Sequence, residues 1–103
     1  MKRRVVVTGM GVVSPVGNDM GTTWRSILEG KSGAAPITHF DATNFPVRFA
    51  AELKGFDPLQ FMDRKEAKRA DAYTQYAVAA AVQAMADAGY TDGHGTDPDR
   101  VGV

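Results

Sequence analysis

The stretch Asp63–Gly89, DRKEAKRADAYTQYAVAAAVQAMADAG, constrains the fold more than any other part of the chain. It contains no proline, no glycine before Gly89, and a high share of alanine, the best helix former. Asp63 is placed to cap a helix, Glu66 stands at capping-box spacing, and Gly89 supplies a left-handed stop. A single helix over roughly Arg64 to Ala88 is predicted. From Ala77 to Ala88 its only polar side chains are Gln83 and Asp87, so this half is expected to be mostly buried. Its small side chains permit close approach of another element but cannot form a core alone. In the first half, Lys65, Lys68 and Arg69 fall at i, i+3 and i+4 and share one face, with Arg64 beside them. That basic patch reads either as a solvated helix start or as a binding surface. Positive charge in the N-terminal half of one long helix opposes the helix dipole at a small cost.

The rest of the chain reads as an alternation of short elements. Val5, Val6 and Val7 predict a first strand, Arg4 to Thr8, covered on both faces. Gly9-Met10-Gly11 then turns the chain into a tight loop ending in Ser14-Pro15-Val16-Gly17. The spacing Gly9-x-Gly11-x-x-Ser14 after a strand invites a dinucleotide-binding reading. It lacks the third glycine, puts Pro15 where a helix should open, and has no acid at the end of a second strand. Nor does Gly-Lys-Ser/Thr follow as in a phosphate-binding loop. A glycine turn that lets backbone pass close to a neighbour is the preferred reading. Asn18 or Asp19 starts a helix to about Glu29, with Trp24, Ile27 and Leu28 as an apolar stripe and Gly30 as its stop. Lys31 to Pro36 form a connection, and Ile37 to Pro46 an ordered loop pinned by Phe40 and Phe45. Val47, Phe49, Ala51 and Leu53 alternate with polar or small residues as a half-exposed strand. Asp57-Pro58 opens a short helix. Tyr90 to Arg100 is a polar loop whose Asp92, Asp97 and Asp99 lack the glycine and closing glutamate of a calcium-binding loop. The last residues, Asp99 to Val103, read as a loop entering a strand. With no partner of matching size for the Ala-rich helix, this predicts one incomplete domain over 1–103 with no internal boundary.

Twelve basic residues balance twelve acidic ones in 103, so no global charge pulls the chain toward nucleic acid or membrane. No apolar run is long enough to span a bilayer, and Lys2 to Thr8 do not form a signal-peptide core. A soluble, cytoplasmic protein is expected. The absence of cysteine excludes disulfides, a thiolate metal site and a cysteine nucleophile within these residues. His39 and His94 lie in separate loops without a ligand at metal spacing. Ser14 and Ser32 lack the G-x-S-x-G context of a nucleophile elbow. No catalytic residue, metal ligand or cofactor-binding residue is therefore assigned.

Several spaced motifs, taken in order, resemble the N-terminus of the β-ketoacyl-acyl-carrier-protein synthases, most closely the type II enzyme of bacterial fatty-acid synthesis. They are Arg3 to Asn18, Thr23-Trp24, Gly30-Lys31-Ser32-Gly33, His39-Phe40-Asp41, Phe49-Ala50, Arg64-Lys65-Glu66, Asp71-Ala72, Gln75-Tyr76 and Arg100-Val101-Gly102. The resemblance covers the whole chain. It implies an α/β fold of the thiolase type, layered α/β/α/β/α, of which these residues form the first part of the N-terminal half, in a homodimer. It implies a decarboxylative condensation of malonyl-ACP with an acyl-enzyme thioester to give 3-oxoacyl-ACP. An active-site cysteine, two histidines and a lysine, none of them in this chain, carry that reaction without a cofactor. His39 and His94 match no catalytic position. Lys65, Lys68 and Arg69 match positions that help dock the acidic acyl carrier protein, with Arg64 a neighbour. A non-catalytic chain-length factor, a polyketide ketosynthase and a free-standing α/β binding module remain alternatives.

Overall fold

The computed structural model describes residues 2–90 and 95–103. Two of its helices begin at carboxylate caps that the sequence offers, Asp19 and Asp63. Extended Asp19 accepts the Thr22 amide at 2.7 Å and the Thr22 hydroxyl at 3.0 Å, and α1 runs Met20–Leu28. Gly30, at φ 68°, stops it. β1 (Ala35–Pro36) and β2 (Phe49–Ala50) pair antiparallel, Ala35 opposite Ala50. The loop between them is pinned as expected: Phe40 and Phe45 meet edge to face with centroids 5.6 Å apart. Asp57 caps a 3₁₀ turn, Pro58–Gln60, through the Leu59 amide. Asp63 accepts the Glu66 amide at 2.7 Å and opens α2, Arg64–Arg69. α3 is Ala72–Asp87, and Gly89 (φ 67°) follows it. A 3₁₀ turn at Pro98–Arg100, capped by Asp97, lies in the expected terminal loop, of which residues 91–94 fall outside the described residues.

The Thr22 amide and hydroxyl hold the Asp19 carboxyl below its ordinary 3.8. A depressed folded value means that this cap contributes stability above the unfolded pKa and loses it as pH falls through the folded one. Asp19→Asn keeps an acceptor for the Thr22 amide but does not titrate. It is expected to flatten the loss of Thr22 amide protection between about pH 5 and 2, measured by hydrogen exchange.

Several expectations are corrected. The single helix Arg64 to Ala88 is two helices: Ala70 is extended (φ −94°, ψ 134°), and Asp71, also extended, is a second N-cap. Alanine propensity does not prevent the break, because Gln75 takes two of the carbonyls it frees, those of Ala67 and Ala70. The break also reverses the dipole argument, since Lys68 and Arg69 lie in the last turn of α2, where cations are favoured. α3 is not mostly buried either: Ala79 is its only fully enclosed residue, and Val82 and Met85 are exposed.

Arg4 to Thr8 form no strand, and Val5, Val6 and Val7 are 93%, 67% and 79% exposed rather than covered. β-branched residues favour extended backbone, but a strand needs a neighbour to bond, and none lies beside them among the described residues. The same holds for Val101 to Val103. Of the strand expected over Val47 to Leu53, only Phe49–Ala50 is paired, with the Ile37 amide reaching the Arg48 carbonyl beside it at 2.9 Å. The Trp24, Ile27 and Leu28 stripe faces outward, while Thr23 and Ser26 form the buried side of α1. The reason is polar: the Ser14–Gly17 turn lies against that side. Ser26 Oγ donates to the Val16 carbonyl at 2.8 Å, and Ser14 Oγ meets Thr23 Oγ1 at 3.1 Å.

The glycine turn does what the sequence reading assigned to it. Residues 9–12 run along α3 at backbone contact. A Cβ on Gly11 would overlap the Ala80 carbonyl oxygen and stand 2.7 Å from the Ala84 nitrogen; one on Gly9 would overlap the Ala84 carbonyl. The two polar side chains of the Ala-rich half satisfy this segment. Asp87 accepts the Met10 amide at 2.9 Å and Gln83 accepts the Val12 amide at 3.3 Å.

The elements are those of a small α/β domain; the α/β/α/β/α layering goes beyond what two two-residue strands display. The buried hydrophobic residues among those described are Ala42 and Ala79. The chain exposes 8469 Å², against roughly 5,600 Å² for a folded monomer of its mass. Its radius of gyration is 17.3 Å, against about 13 Å for a compact domain of this length. These residues do not close a core by themselves. No helix among the described residues is long and apolar enough to cross a membrane.

Candidate functional site

α2 is the most chemically distinctive surface. Its sequence, RKEAKR, holds four cations and one carboxylate in a chain of zero formal net charge. Arg64, Lys65, Lys68 and Arg69 are all exposed. Helical spacing puts Lys65, Lys68 and Arg69 on one face, as the sequence implied. Among the described residues the ion pairs are Lys31–Glu29 at 2.8 Å and His39–Glu52 at 3.0 Å, so none of the four is neutralised.

Three features fix where this helix points. At its start stands the Asp63 cap. The 3₁₀ turn before it supports an aromatic trio of half-buried rings: Phe56 stacks on Phe61 at 6.1 Å and meets Tyr76 of α3 edge to face at 5.1 Å. At its end the Gln75 side-chain amide, from α3, donates to the Ala67 carbonyl at 3.0 Å and the Ala70 carbonyl at 3.4 Å. An open groove of about 510 Å³ follows the bend, lined by Phe61, Met62, Arg69, Tyr73 and Val78 among others.

A second cluster gathers around Lys54, just after the strand expected over Val47 to Leu53. Its ammonium lies 2.9 Å from the Gly33 carbonyl, 3.0 Å from that of Glu52 and 3.3 Å from that of Pro15. Three donors meet three acceptors, so no N–H remains for substrate chemistry, and Lys54 is a tie between loops. Asn18 extends the tie. Its side chain donates to the Lys54 carbonyl, and its own carbonyl accepts from Gln83 of α3, both at 2.8 Å. No local pattern in the sequence signals this cluster, because its partners come from four separate segments.

His39 carries no metal-like surroundings. Its Nε2 lies 3.0 Å from Glu52, whose carboxylate also accepts the Thr38 amide and hydroxyl. The Thr38 amide is the main cause of a Glu52 carboxyl held below its ordinary value. The β1–β2 pairing brings these groups together. His94 lies outside the described residues. Among the described residues, no group of three or more His, Cys, Asp or Glu is placed to hold a metal.

This α/β architecture, with a glycine-bearing N-terminal segment laid along an Ala-rich helix, is that of the N-terminal region of the thiolase and ketosynthase superfamily. The chain belongs to the beta-ketoacyl synthase family: residues 2–103 match the model of the beta-ketoacyl synthase N-terminal domain. It is 53% identical over 88 residues to the 3-oxoacyl-[acyl-carrier-protein] synthase 2 of Vibrio harveyi, covering 85% of this chain and 21% of that protein. To the enzyme of the same name from Coxiella burnetii it is 48% identical over 102 residues, covering 99% and 24%. Among solved structures it is similar to the ishigamide ketosynthase/chain length factor, with a TM-score of 0.81 and 40% identity over 88% of this chain and 23% of the other. The chain thus spans between a fifth and a quarter of the length of these relatives.

Proposed function

We propose that this chain is the N-terminal part of a condensing enzyme of fatty-acid elongation and that α2 is part of its docking surface for acyl carrier protein. The observation that carries the docking assignment is the run of four exposed cations on α2, without an ion-pair partner among the described residues, in a chain without net charge. Relatives about half identical to it are named as synthases of 3-oxoacyl-[acyl-carrier-protein]. An acidic carrier protein suits such a face through long-range steering and rim contacts.

In the whole protein, a cysteine outside these residues takes the acyl group from its carrier, forming a thioester and releasing the carrier thiol. Malonyl-ACP then loses carbon dioxide. The resulting carbanion attacks the acyl carbonyl, and the cysteine leaves as 3-oxoacyl-ACP forms. Residues 1–103 form one incomplete domain that supplies scaffold and docking surface, within a layered α/β/α/β/α fold, a homodimer and a cytoplasmic setting. The shortage of core in these residues favours this reading over a free-standing module.

Likeness to a ketosynthase/chain length factor supports a second reading, a non-catalytic partner in the same fold. One comparison separates all three. With acyl-ACP, the full-length protein is expected to gain an acyl adduct on one cysteine by intact mass, and with malonyl-ACP to release 3-oxoacyl-ACP. Isolated residues 1–103 are expected to do neither and to melt without a cooperative transition. A full-length protein that never acylates would indicate the chain-length partner. A sharp melt of the isolated chain would restore the binding module.

A further inference from the structure

We infer that Gln75 is a positioning residue for carrier-protein docking: its amide sets the end of α2 that carries Lys68 and Arg69. The inference rests on the docking role proposed for α2. In a continuous helix the Ala67 and Ala70 carbonyls would be met by the amides of Asp71 and Thr74. With Ala70 extended, the two hydrogens of one Gln75 nitrogen meet both, at 3.0 and 3.4 Å. The bonds are partly buried, so their loss is not made good by bulk water.

A six-residue helix has little stability of its own; helices shorter than roughly 12–15 residues are marginal without packing. Asp63 secures the first turn of α2, and the aromatic trio joins the segment before it to α3. No ion pair among the described residues involves α2, and Gln75 is the side chain from α3 that bonds its last turn. Lys68 and Arg69 lie in that last turn, one residue on from Ala67 and one back from Ala70. Without the Gln75 donor, this turn unwinds or rotates, and the two cations leave the face they share with Lys65.

The test uses the full-length protein with Gln75→Met, a near-isosteric change that removes the donor, and Gln75→Lys, which restores one. Lys68→Glu is the control for docking. KM and kcat are measured with carrier-linked acyl donor and with a small acyl thioester that has no carrier. Gln75→Met is expected to raise KM for the carrier-linked donor about three- to tenfold, with kcat and the carrier-free rate unchanged and with partial recovery in Gln75→Lys. Raised KM in Lys68→Glu with wild-type KM in Gln75→Met overturns the inference alone. Wild-type KM in Lys68→Glu overturns the docking role and the inference with it. An equal loss of rate with both donors in Gln75→Met assigns the residue a purely structural part and also overturns it. Should Gln75→Met fail to accumulate, Gln75→Lys against Gln75→Glu, which has acceptors only, reads the same difference.

Discussion

Gly11→Ala is expected to cost the full-length protein about 3–5 kcal/mol of stability, a large part of the roughly 5–15 kcal/mol that folded proteins have. The figure comes from two parts. A Cβ at this position overlaps the Ala80 carbonyl oxygen and stands 2.7 Å from the Ala84 nitrogen. Both are backbone atoms in the middle of α3, so neither can rotate away as a side chain would. Residues 9–12 must therefore lift off the helix. Lifting breaks the Met10 amide bond to Asp87 and the Val12 amide bond to Gln83, one of them to a charged acceptor. Gly30 offers the contrast: a Cβ there meets nothing within 4 Å, but φ is 68°, so its substitution is strained only through the backbone. Denaturant midpoints of the two alanine variants should fall in that order, Gly11→Ala far below Gly30→Ala. A wild-type midpoint for Gly11→Ala would mean that the glycine segment does not lie against α3.

What could be read from the sequence follows from the range of the interactions involved. Asp19, Asp57 and Asp63 cap helices through bonds to amides two or three residues on, so their roles were legible locally. Gly30 and Gly89 were legible for the same reason. The close approach at Gly9 and Gly11 was legible from both sides, as two glycines in one segment and a run of alanines in another. The break at Ala70 was not. Propensity rewards the alanines on both sides of it, whereas the compensation comes from the far end of the Gln75 side chain, and Asp71 was the only local sign. Val5 to Val7 misled in the opposite sense: their residue type favours a strand, but pairing requires a neighbour that no local pattern reveals. The outward-facing Trp24 follows similarly, since polar bonds from Ser14 and Ser26 decide which side of α1 is covered. Of the candidate site, the four cations and their exposure were legible, and the residue that holds their helix in place was not.

Reversing two of those charges, Lys65→Glu with Lys68→Glu, is expected to raise KM for carrier-linked substrates about 10- to 100-fold. Each exposed attraction is worth about 0.2–1 kcal/mol, and reversal replaces it by a repulsion of similar size. Two sites then sum to about 0.8–4 kcal/mol, the middle of which, about 1.4–2.8 kcal/mol, is 10- to 100-fold at 1.4 kcal/mol per tenfold. Neither lysine has an ion-pair partner among the described residues, so reversal breaks no internal salt bridge and stability should be nearly unchanged. The two new carboxylates also meet the α2 dipole differently. The one replacing Lys65 lies in the first turn, where an anion is favoured, and the one replacing Lys68 lies in the last, where it is not. The two effects oppose each other, which leaves the partner as the main influence. Three readings check this together. The KM increase should shrink as salt is raised and the Debye length falls from about 10 Å toward 3 Å. Turnover of a carrier-free acyl thioester should stay at the wild-type rate, because a docking face acts only through the carrier. Lys65→Ala with Lys68→Ala should fall between the wild type and the reversal, since neutralisation removes attraction without adding repulsion. A reversal variant with wild-type KM at low salt would place carrier docking elsewhere on the protein and leave α2 as a solvated helix.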